Sequence, residues 1–312
     1  MAGILDTVDS RTNLVGQNRL ELLLFHLQSS QLFALNVFKV KEVLKLPKLN
    51  SIPNSHPSIA GVANIRGKST PVIDLRKAVG LKPIPVDDSC NLVVTEYNRT
   101  VQAFLIGAVD HIVNMEWSEI MPPPNNMGRN HYLTAITKHK ANGKELLVEI
   151  IDVEKVLAEI IDYDIEISEG VVEEALLPKL QGKKILHADD SSTARKQVSD
   201  TLAQLGIEII PAQNGLEAFY TLKEMADSGV NVCDELLMVI TDAEMPAMDG
   251  YRLTFEIRNE PKLKDLFVVL NTSLSGSFNQ AMVEKVGCDR FISKFQPDEL
   301  VKLVQDRLKQ VN

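Results

Sequence analysis

The stretch TDAEMPAMDG, residues 241–250, decides the fold of the C-terminal half of this 312-residue chain. It begins at the end of an apolar run, residues 235–241, whose length and composition predict a buried β-strand. Asp242 follows directly, so the sequence places a carboxylate at the carboxyl end of a predicted strand.

Outward from this strand, predicted strands and helices alternate. Four further strands are expected at residues 184–188, 207–212, 267–271 and 289–293, and helices fill the intervals. In the runs 191–205 and 297–311, apolar side chains recur at the three- and four-residue spacing of one helix face. Five such units predict a parallel sheet with helices on both faces, which places functional groups at the carboxyl ends of the strands.

Polar residues stand at these carboxyl ends. The first strand ends at Asp189 and Asp190, the third at Asp242, the fourth at Thr272 and the fifth at Lys294. Three close carboxylates repel one another unless a cation relieves them, and oxygen ligands suit Mg²⁺. A carboxylate beside Mg²⁺ is a nucleophile for a phosphoryl group, whose charge a lysine neutralises and whose oxygen a hydroxyl binds.

With these residues identified, residues 183–312 resemble the receiver domains of response regulators, most closely along TDAEMPAMDG. The resemblance implies an α/β flavodoxin-like fold with a five-stranded parallel sheet of order 2-1-3-4-5. It also implies a set of site residues: Asp242 as phosphoacceptor, Thr272 as switch hydroxyl, Lys294 as phosphate contact, Phe291 as switch aromatic, and Asp189, Asp190, Asp242 and the backbone carbonyl of Glu244 as Mg²⁺ ligands.

One departure from the receiver pattern follows Lys294. Receivers usually carry a proline after this lysine, often through a cis bond, whereas this chain has Phe295. A cis bond before a residue other than proline costs about 2.5–4 kcal/mol, which favours a trans bond and an altered loop geometry here.

The first half of the chain is predicted to be rich in strands. They are expected at residues 20–27, 31–36, 69–75, 91–96, 101–108, 131–138 and 145–151. Asn142-Gly143 separates the last two, and Asn-Gly is a strong β-hairpin signal. Short strands at this spacing predict a small barrel or a pair of barrels. Two runs, 37–46 and 153–160, are predicted as helices, and Val37, Val40 and Val43 are expected in the core.

A second resemblance is carried by HPSIAGVANIRG, residues 56–67, and TPVIDLR, residues 70–76. These segments resemble the CheW-like coupling domains of chemotaxis, over about residues 15–165. The resemblance implies an all-β domain of two SH3-like barrels that bridges receptors and a histidine kinase, with Asn64, Arg66 and Gly67 in its partner-binding turn. The alternative is structural: Gly67 meets a need for positive φ, and Arg66 is a solvated charge.

An acidic stretch, residues 166–182, lies between the two predicted domains. No lysine or arginine occurs between Lys155 and Lys179, an interval that holds seven acidic residues. Because like charges repel and cannot share a core, the stretch predicts a solvated linker, with an acidic docking tail as the alternative.

Composition limits the class of function. The net charge of −9 argues against nucleic acid as a partner, because phosphate binding needs clustered Lys and Arg. No apolar run approaches the length of a spanning helix, and the first twenty residues lack the apolar core of a signal peptide. Three distant cysteines are typical of a reduced protein. A cytoplasmic protein without membrane insertion is therefore expected.

The two resemblances together indicate the CheV family of chemotaxis proteins. They imply an adaptor rather than an enzyme, recruited to membrane-associated receptor arrays. It would bind chemoreceptor tips and a histidine kinase, and would accept a phosphoryl group from that kinase for adaptation or as a phosphate sink.

Two alternatives from other classes of function stay open. The first is a Mg²⁺-dependent phosphohydrolase, although such enzymes usually carry DxD after the first strand, whereas this chain has DxE after the third. The second is a structural scaffold whose receiver is silent.

Overall fold

The computed structural model describes residues 19–97, 100–121, 132–141, 143–160, 166–272, 286–294 and 296–311. Asn142 of the predicted hairpin turn and Phe295 of the predicted loop lie outside these residues. The chain divides into two compact units, an N-terminal unit (Arg19–Asp162) and a C-terminal unit that contains Tyr163–Asn312. No helix in the described parts of the chain has the length and apolar character needed to cross a membrane.

The described residues of the N-terminal unit form two five-stranded sheets. The strands, in chain order, are β1 (Arg19–His26), β2 (Leu32–Asn36), β3 (Val40–Lys45), β4 (Ile59–Ile65), β5 (Lys68–Asp74), β6 (Asn91–Tyr97), β7 (Thr100–Ile106), β8 (Val109–Glu116), β9 (Leu133–Ala141) and β10 (Lys144–Ile151). One sheet has the order β8-β1-β2-β10-β9 and the other β3-β6-β7-β5-β4. Two helices accompany them, α1 (Leu75–Ala78) and α2 (Val153–Ile160).

The two edges of each sheet approach one another. In the second sheet, Asn50 after β3 pairs with Val62 of β4, and Arg66 in the β4–β5 turn reaches Glu42 of β3. In the first sheet, the rings of His111 on β8 and His139 on β9 lie 5.0 Å apart. Each sheet therefore curls around its own apolar core, which confirms the predicted β-rich CheW-like architecture.

The predicted helix at residues 37–46 is wrong. Val37–Lys39 form a single 3₁₀ turn, and the chain then continues as strand β3, which pairs antiparallel with β6. Val43 is exposed rather than in the core. Valines at spacings of three match one face of a helix, but their branched side chains also suit a strand, and here the pairing with β6 decides between the two.

The C-terminal unit alternates strands and helices as predicted. Its strands are β11 (Lys184–Ala188), β12 (Glu208–Ala212), β13 (Leu236–Asp242), β14 (Val268–Thr272) and β15 (Arg290–Ser293). Its described α-helices are α3 (Leu177–Leu180), α4 (Ser192–Ala203), α5 (Gly215–Asp227), α6 (Val232–Glu235), α7 (Gly250–Asn259) and α8 (Pro297–Val311). All sheet pairings are parallel and the order is β12-β11-β13-β14-β15, so the predicted order 2-1-3-4-5 is confirmed.

The acidic stretch 166–182 differs from the solvated linker that its charge predicts. Its residues 166–180, which we name the strap, contain a 3₁₀ turn (Glu174–Leu176) and helix α3, and they pack on the C-terminal unit. Leu180 is fully buried in the core that also contains α8. Apolar residues interleave with the acidic ones, so one side of the strap is buried while the carboxylates remain in water.

Candidate functional site

The carboxyl ends of four neighbouring strands meet at one edge of the C-terminal sheet. Ala188 at the end of β11 is opposite Thr241, Asp242 of β13 is opposite Asn271, and Thr272 of β14 is opposite Ser293. The next residues along β11 and β15 are Asp189 and Lys294. Parallel register alone therefore brings the predicted strand-end residues to one edge.

Three carboxylates and one ammonium form a cluster at this edge, in which Asp190 is partly buried and the other three residues are buried. Asp189, Asp190 and Asp242 each offer a carboxylate oxygen, and these oxygens lie within 4.8 Å of one another. Lys294 Nζ is 2.9 Å from Asp189 Oδ2 and 2.7 Å from Asp242 Oδ2. The Lys294 side chain is only 1% exposed, so water screens these contacts little.

The donor chemistry of the cluster fits Mg²⁺. Its ligands are all carboxylate oxygens, which hard cations prefer, and they are close enough together to share one ion. Asp189, Asp190 and Asp242 would hold the ion. Carboxylates this close repel one another, and a bound cation would relieve that repulsion in addition to the contacts that Lys294 makes with Asp189 and Asp242.

Asp189 is fixed from its backbone and from its side chain. Its Oδ1 accepts a hydrogen bond from Ser191 N at 2.9 Å, and Ser191 Oγ in turn caps helix α4 by accepting from Ala194 N. Arg195, one turn into α4, donates to the Asp189 carbonyl oxygen at 2.5 Å. The start of α4 therefore holds this carboxylate in place.

His187 lies beside the cluster on β11 but adds no positive charge to it. Its ring is fully buried, and Nε2 is 4.0 Å from Asp189 Oδ2. Burial, together with the charges of Lys294 and Arg195, lowers the pKa of His187 to about 3. The imidazole is therefore neutral near pH 7 and acts as a packed core residue.

The stretch TDAEMPAMDG wraps closely around the end of β13. Asp249 Oδ1 caps helix α7 by accepting from Arg252 N at 2.6 Å, although burial raises the pKa of Asp249. A Cβ atom on Gly250 would lie 2.0 Å from the Asp242 carbonyl oxygen. Only glycine fits at this point, so Gly250 allows α7 to start directly behind Asp242.

The remaining predicted receiver residues lie at or near the same edge. Thr272 ends β14 and is 2% exposed, whereas Phe291, on the edge strand β15, is 36% exposed. Glu244, two residues beyond Asp242, is partly buried. The Lys294–Phe295 bond involves a residue outside the described ones.

Sequence reasoning missed two residues of this site. Arg195 carries no motif signal, because its role depends on how α4 crosses the end of β11. Gly250 lies within the family stretch, but the need for glycine there comes from the close approach of the Asp242 carbonyl, which the sequence does not show.

The predicted partner-binding turn lies in the N-terminal unit, between β4 and β5. Ile65 pairs with Lys68, so Arg66 and Gly67 form a two-residue hairpin turn with φ values of 51° and 80°. Positive φ at both positions matches the mirror-image turn that hairpins favour, and the Asn64 side chain accepts from Gly67 N at 2.9 Å. Asn64 and Gly67 therefore build the turn, and Arg66 presents an exposed charge that is paired with Glu42.

Comparisons with known proteins identify both units. The CheW-like domain family matches residues 21–160, and the response regulator receiver domain family matches residues 185–305. Chemotaxis protein CheV1 of Helicobacter pylori is 29% identical over 99% of this chain and 99% of its own length. CheV3 of the same organism is 27% identical over 87% and 86%, and CheY1 is 34% identical over 38% and 90%.

Solved structures resemble each unit separately. The scaffolding protein TtCheW of Thermoanaerobacter tengcongensis is 26% identical, with a TM-score of 0.36, and the match covers 42% of this chain and 83% of TtCheW. The chemotaxis protein CheY4 of Vibrio cholerae is 26% identical, with a TM-score of 0.35, over 40% of this chain and 97% of its own. Because both domain families match in this order and the CheV relatives align with most of the chain, the chain belongs to the CheV family of chemotaxis proteins, in which a CheW-like domain is joined to a receiver domain.

Proposed function

We propose that this protein is a chemotaxis adaptor whose coupling activity is set by a phosphoryl group on Asp242. The observation that carries the proposal is the cluster at the edge of the receiver sheet, where carboxylate oxygens of Asp189, Asp190 and Asp242 lie within 4.8 Å of one another and buried Lys294 contacts Asp189 and Asp242. A nucleophilic carboxylate next to a cation site is the arrangement that phosphoryl transfer to aspartate requires.

In the transfer, a carboxylate oxygen of Asp242 attacks the phosphorus of a phosphohistidine on the chemotaxis kinase. The O–P bond forms while the N–P bond breaks, and the imidazole leaves with the electron pair and takes a proton from solvent. When bound, Mg²⁺ supplies positive charge that offsets the charge on the transferring oxygens. Water later attacks the phosphorus, which releases inorganic phosphate and restores the carboxylate.

Three residues would respond to the phosphoryl group. Lys294 bonds Asp242 directly, so it must change its contacts when that carboxylate is esterified. Thr272 is buried on the neighbouring strand end, where its hydroxyl would bond a phosphoryl oxygen. Phe291 is partly exposed on the edge strand and would alter its exposure as the other two residues move.

The CheW-like domain would provide the coupling activity. Its exposed turn, with Arg66 held on the frame of Asn64 and Gly67, is the proposed contact for chemoreceptor tips and the kinase. This contact would place the protein at membrane-associated receptor arrays in the cytoplasm. The receiver would then change the strength of the contact, serving adaptation or acting as a phosphate sink.

The decisive experiment measures phosphoryl transfer to the full-length chain. With Mg²⁺ and the phosphorylated kinase, the wild type is expected to gain one acid-labile phosphoryl group per chain. Asp242→Asn removes the nucleophile and is expected to reduce the label to background. Asp227→Asn, which changes an exposed aspartate of the same domain, is the matched control and should label like wild type. Full labelling of Asp242→Asn would refute the proposal.

Two further readouts separate this proposal from the other classes of function. Steady release of phosphate from a small phosphate ester over many turnovers would indicate a phosphohydrolase instead. Co-sedimentation with receptors and kinase that does not change when a beryllium fluoride complex and Mg²⁺ are added would indicate a scaffold with a silent receiver.

A further inference from the structure

We propose that the strap, residues 166–180, transmits the state of the Asp242 site to the CheW-like domain, and that phosphorylation loosens it from helix α8. This inference rests on the proposed function and names the element through which its regulation acts. The strap is the part of the receiver that directly follows the CheW-like domain along the chain, and its described residues are docked on the helix that follows Lys294.

A buried amide on α8 binds the strap backbone. Gln305 is 1% exposed, and its Oε1 accepts from Glu173 N at 2.6 Å while its Nε2 donates to the Val171 carbonyl oxygen at 3.0 Å. A buried amide is costly unless its polar atoms are bonded, and both atoms of Gln305 are bonded by the strap. The helix therefore carries a site built for an extended segment.

Polar contacts near both ends of α8 extend this docking. In its first turn, Asp298 Oδ1 accepts from Ser168 N at 2.9 Å. Hydrogen bonding from the backbone and side chain of Ser168 lowers the pKa of Asp298. In its last turn, Lys309 Nζ lies 2.7 Å from Glu173 Oε1. Between them the strap contributes apolar side chains to the core against α8: Ile167, Val171, Val172, Leu176, Leu177 and Leu180.

The helix that holds the strap begins next to the phosphoacceptor cluster. α8 starts at Pro297, three residues after Lys294, and the strap contact at Asp298 is in that first turn. A rearrangement of Lys294 therefore acts on the same end of α8 that anchors Ser168. At its other end, the strap begins six residues after Ile160, the last residue of α2 in the CheW-like domain.

The expected direction follows from how the strap is held. Its ion pair with Lys309 is about half exposed to water, and most of its apolar residues are only partly buried. Segments with such contacts open at low free energy compared with the core. The Ser168–Asp298 hydrogen bond is made in the first turn of α8, so a displacement of that turn breaks its geometry and favours release of the strap.

Hydrogen exchange on the full-length protein tests the proposal. A beryllium fluoride complex with Mg²⁺ is expected to speed exchange of the Ser168 and Glu173 amides at least about fivefold and to change exchange along α2. In Gln305→Ala, the strap amides should exchange rapidly even without the complex. Adding the complex should then no longer change exchange along α2. Gln310→Ala, which removes an exposed amide from the same helix, should behave like wild type.

A charge exchange provides a second test that leaves the core intact. Glu173→Lys and Lys309→Glu should each speed exchange of the strap, and the double variant should restore protection by re-forming the pair with reversed charges. If the complex protects the residues around Asp242 but the strap and α2 exchange unchanged, the strap proposal is overturned and the proposed function stands. If Asp242 takes up no phosphoryl group in the wild type, the proposed function itself fails, and the strap proposal fails with it.

Discussion

Each domain of this protein buries a lysine–carboxylate contact, but the number of carboxylates that cluster at the contact differs between them. In the CheW-like domain, Lys39 Nζ lies 3.0 Å from Glu154 Oε1, and the Glu154 side chain is fully buried. In the receiver, Lys294 contacts Asp189 and Asp242, and Asp190 lies within the same cluster. The first contact joins one carboxylate to one ammonium, whereas the second joins one ammonium to two carboxylates and has a third carboxylate within 4.8 Å of them.

This difference separates a structural ion pair from a binding site. A balanced pair repays part of its desolvation through its own attraction and gains nothing from a further cation. An unbalanced cluster retains repulsion that a bound cation removes. Burial of an ion pair alone therefore does not indicate function, and the clustering of three carboxylates at the receiver edge is the informative feature.

The largest expected effect is that of Lys294→Ala on the receiver. Without Mg²⁺, this change leaves buried Asp189 and Asp242 without the ammonium that they share, which should lower the free energy of unfolding by about 3–5 kcal/mol. Denaturant unfolding followed by far-ultraviolet circular dichroism measures the loss, because most of the described helices are in the receiver.

The control for Lys294→Ala is Lys196→Ala. Lys196 pairs with Asp200 at 2.5 Å one turn further along α4, but this pair is exposed. Its removal should cost only about 0.3–0.5 kcal/mol. Equal losses in the two variants would contradict the view that the Lys294 cluster is buried and charge-coupled.

The second effect is stabilisation of the receiver by Mg²⁺. A cation that binds only the folded cluster at about a hundred times its Kd should raise the free energy of unfolding by about 2.7 kcal/mol. Asp190→Asn should reduce this gain by removing one of the three carboxylates. The measurement compares unfolding in Mg²⁺ with unfolding in a chelator.

The domain that contains the Lys39–Glu154 pair supplies the internal control for Mg²⁺. The chain has one tryptophan, Trp117, and it belongs to the CheW-like domain, so tryptophan fluorescence follows that domain. Its transition should not move with Mg²⁺. A shift of equal size in both transitions would mean that Mg²⁺ acts through general ionic effects.

The third effect is confined to the CheW-like domain. Lys39→Met leaves Glu154 buried without this ammonium and should cost about 1–3 kcal/mol, less than Lys294→Ala because the Lys39 side chain is 19% exposed. Adding Glu154→Leu should recover most of the loss, since an apolar pair replaces an ionic one at little cost. The tryptophan-detected transition reports both variants, and failure of the double variant to recover would show that Glu154 has a further essential partner.

The receiver site could be predicted from sequence because the positions of its residues follow from the topology of the parallel sheet. Parallel strands end at one edge, so Asp189, Asp242 and Lys294 had to meet once the strands were placed. Every predicted strand of that sheet lies within one residue of the observed bounds at each end. By contrast, no local pattern reveals Arg195, because its contact with the Asp189 carbonyl depends on how a helix crosses a strand end.

The failures came from segments whose patterns are ambiguous. Val37, Val40 and Val43 suit a helix face by spacing and a strand by side-chain shape, and only pairing with β6 decides. In the strap, the high density of carboxylates predicts a solvated segment, but apolar residues between them, such as Val171 and Leu180, pack into the core. Tertiary packing overrides local propensity in both segments.

The smallest expected effect on stability distinguishes the exposed turn from the buried clusters. Arg66 pairs with Glu42 at 2.6 Å, but its side chain is 80% exposed. Arg66→Ala should therefore change the free energy of unfolding by less than about 1 kcal/mol. If the turn contacts receptors and kinase, the same change should weaken their co-sedimentation roughly fivefold, because arginine is enriched among residues that dominate interfaces.

The matched control is Lys41→Ala, which removes another exposed ion pair, that with Glu96, from the same sheet. It should alter stability as little as Arg66→Ala while leaving co-sedimentation unchanged. Equal weakening by both variants would assign the effect to the general charge of the domain rather than to the turn. If Arg66→Ala binds receptors and kinase as well as wild type does, the turn has only a structural role. Asn64 and Gly67 would then form the hairpin turn, and Arg66 would link β4–β5 to β3 through its ion pair with Glu42.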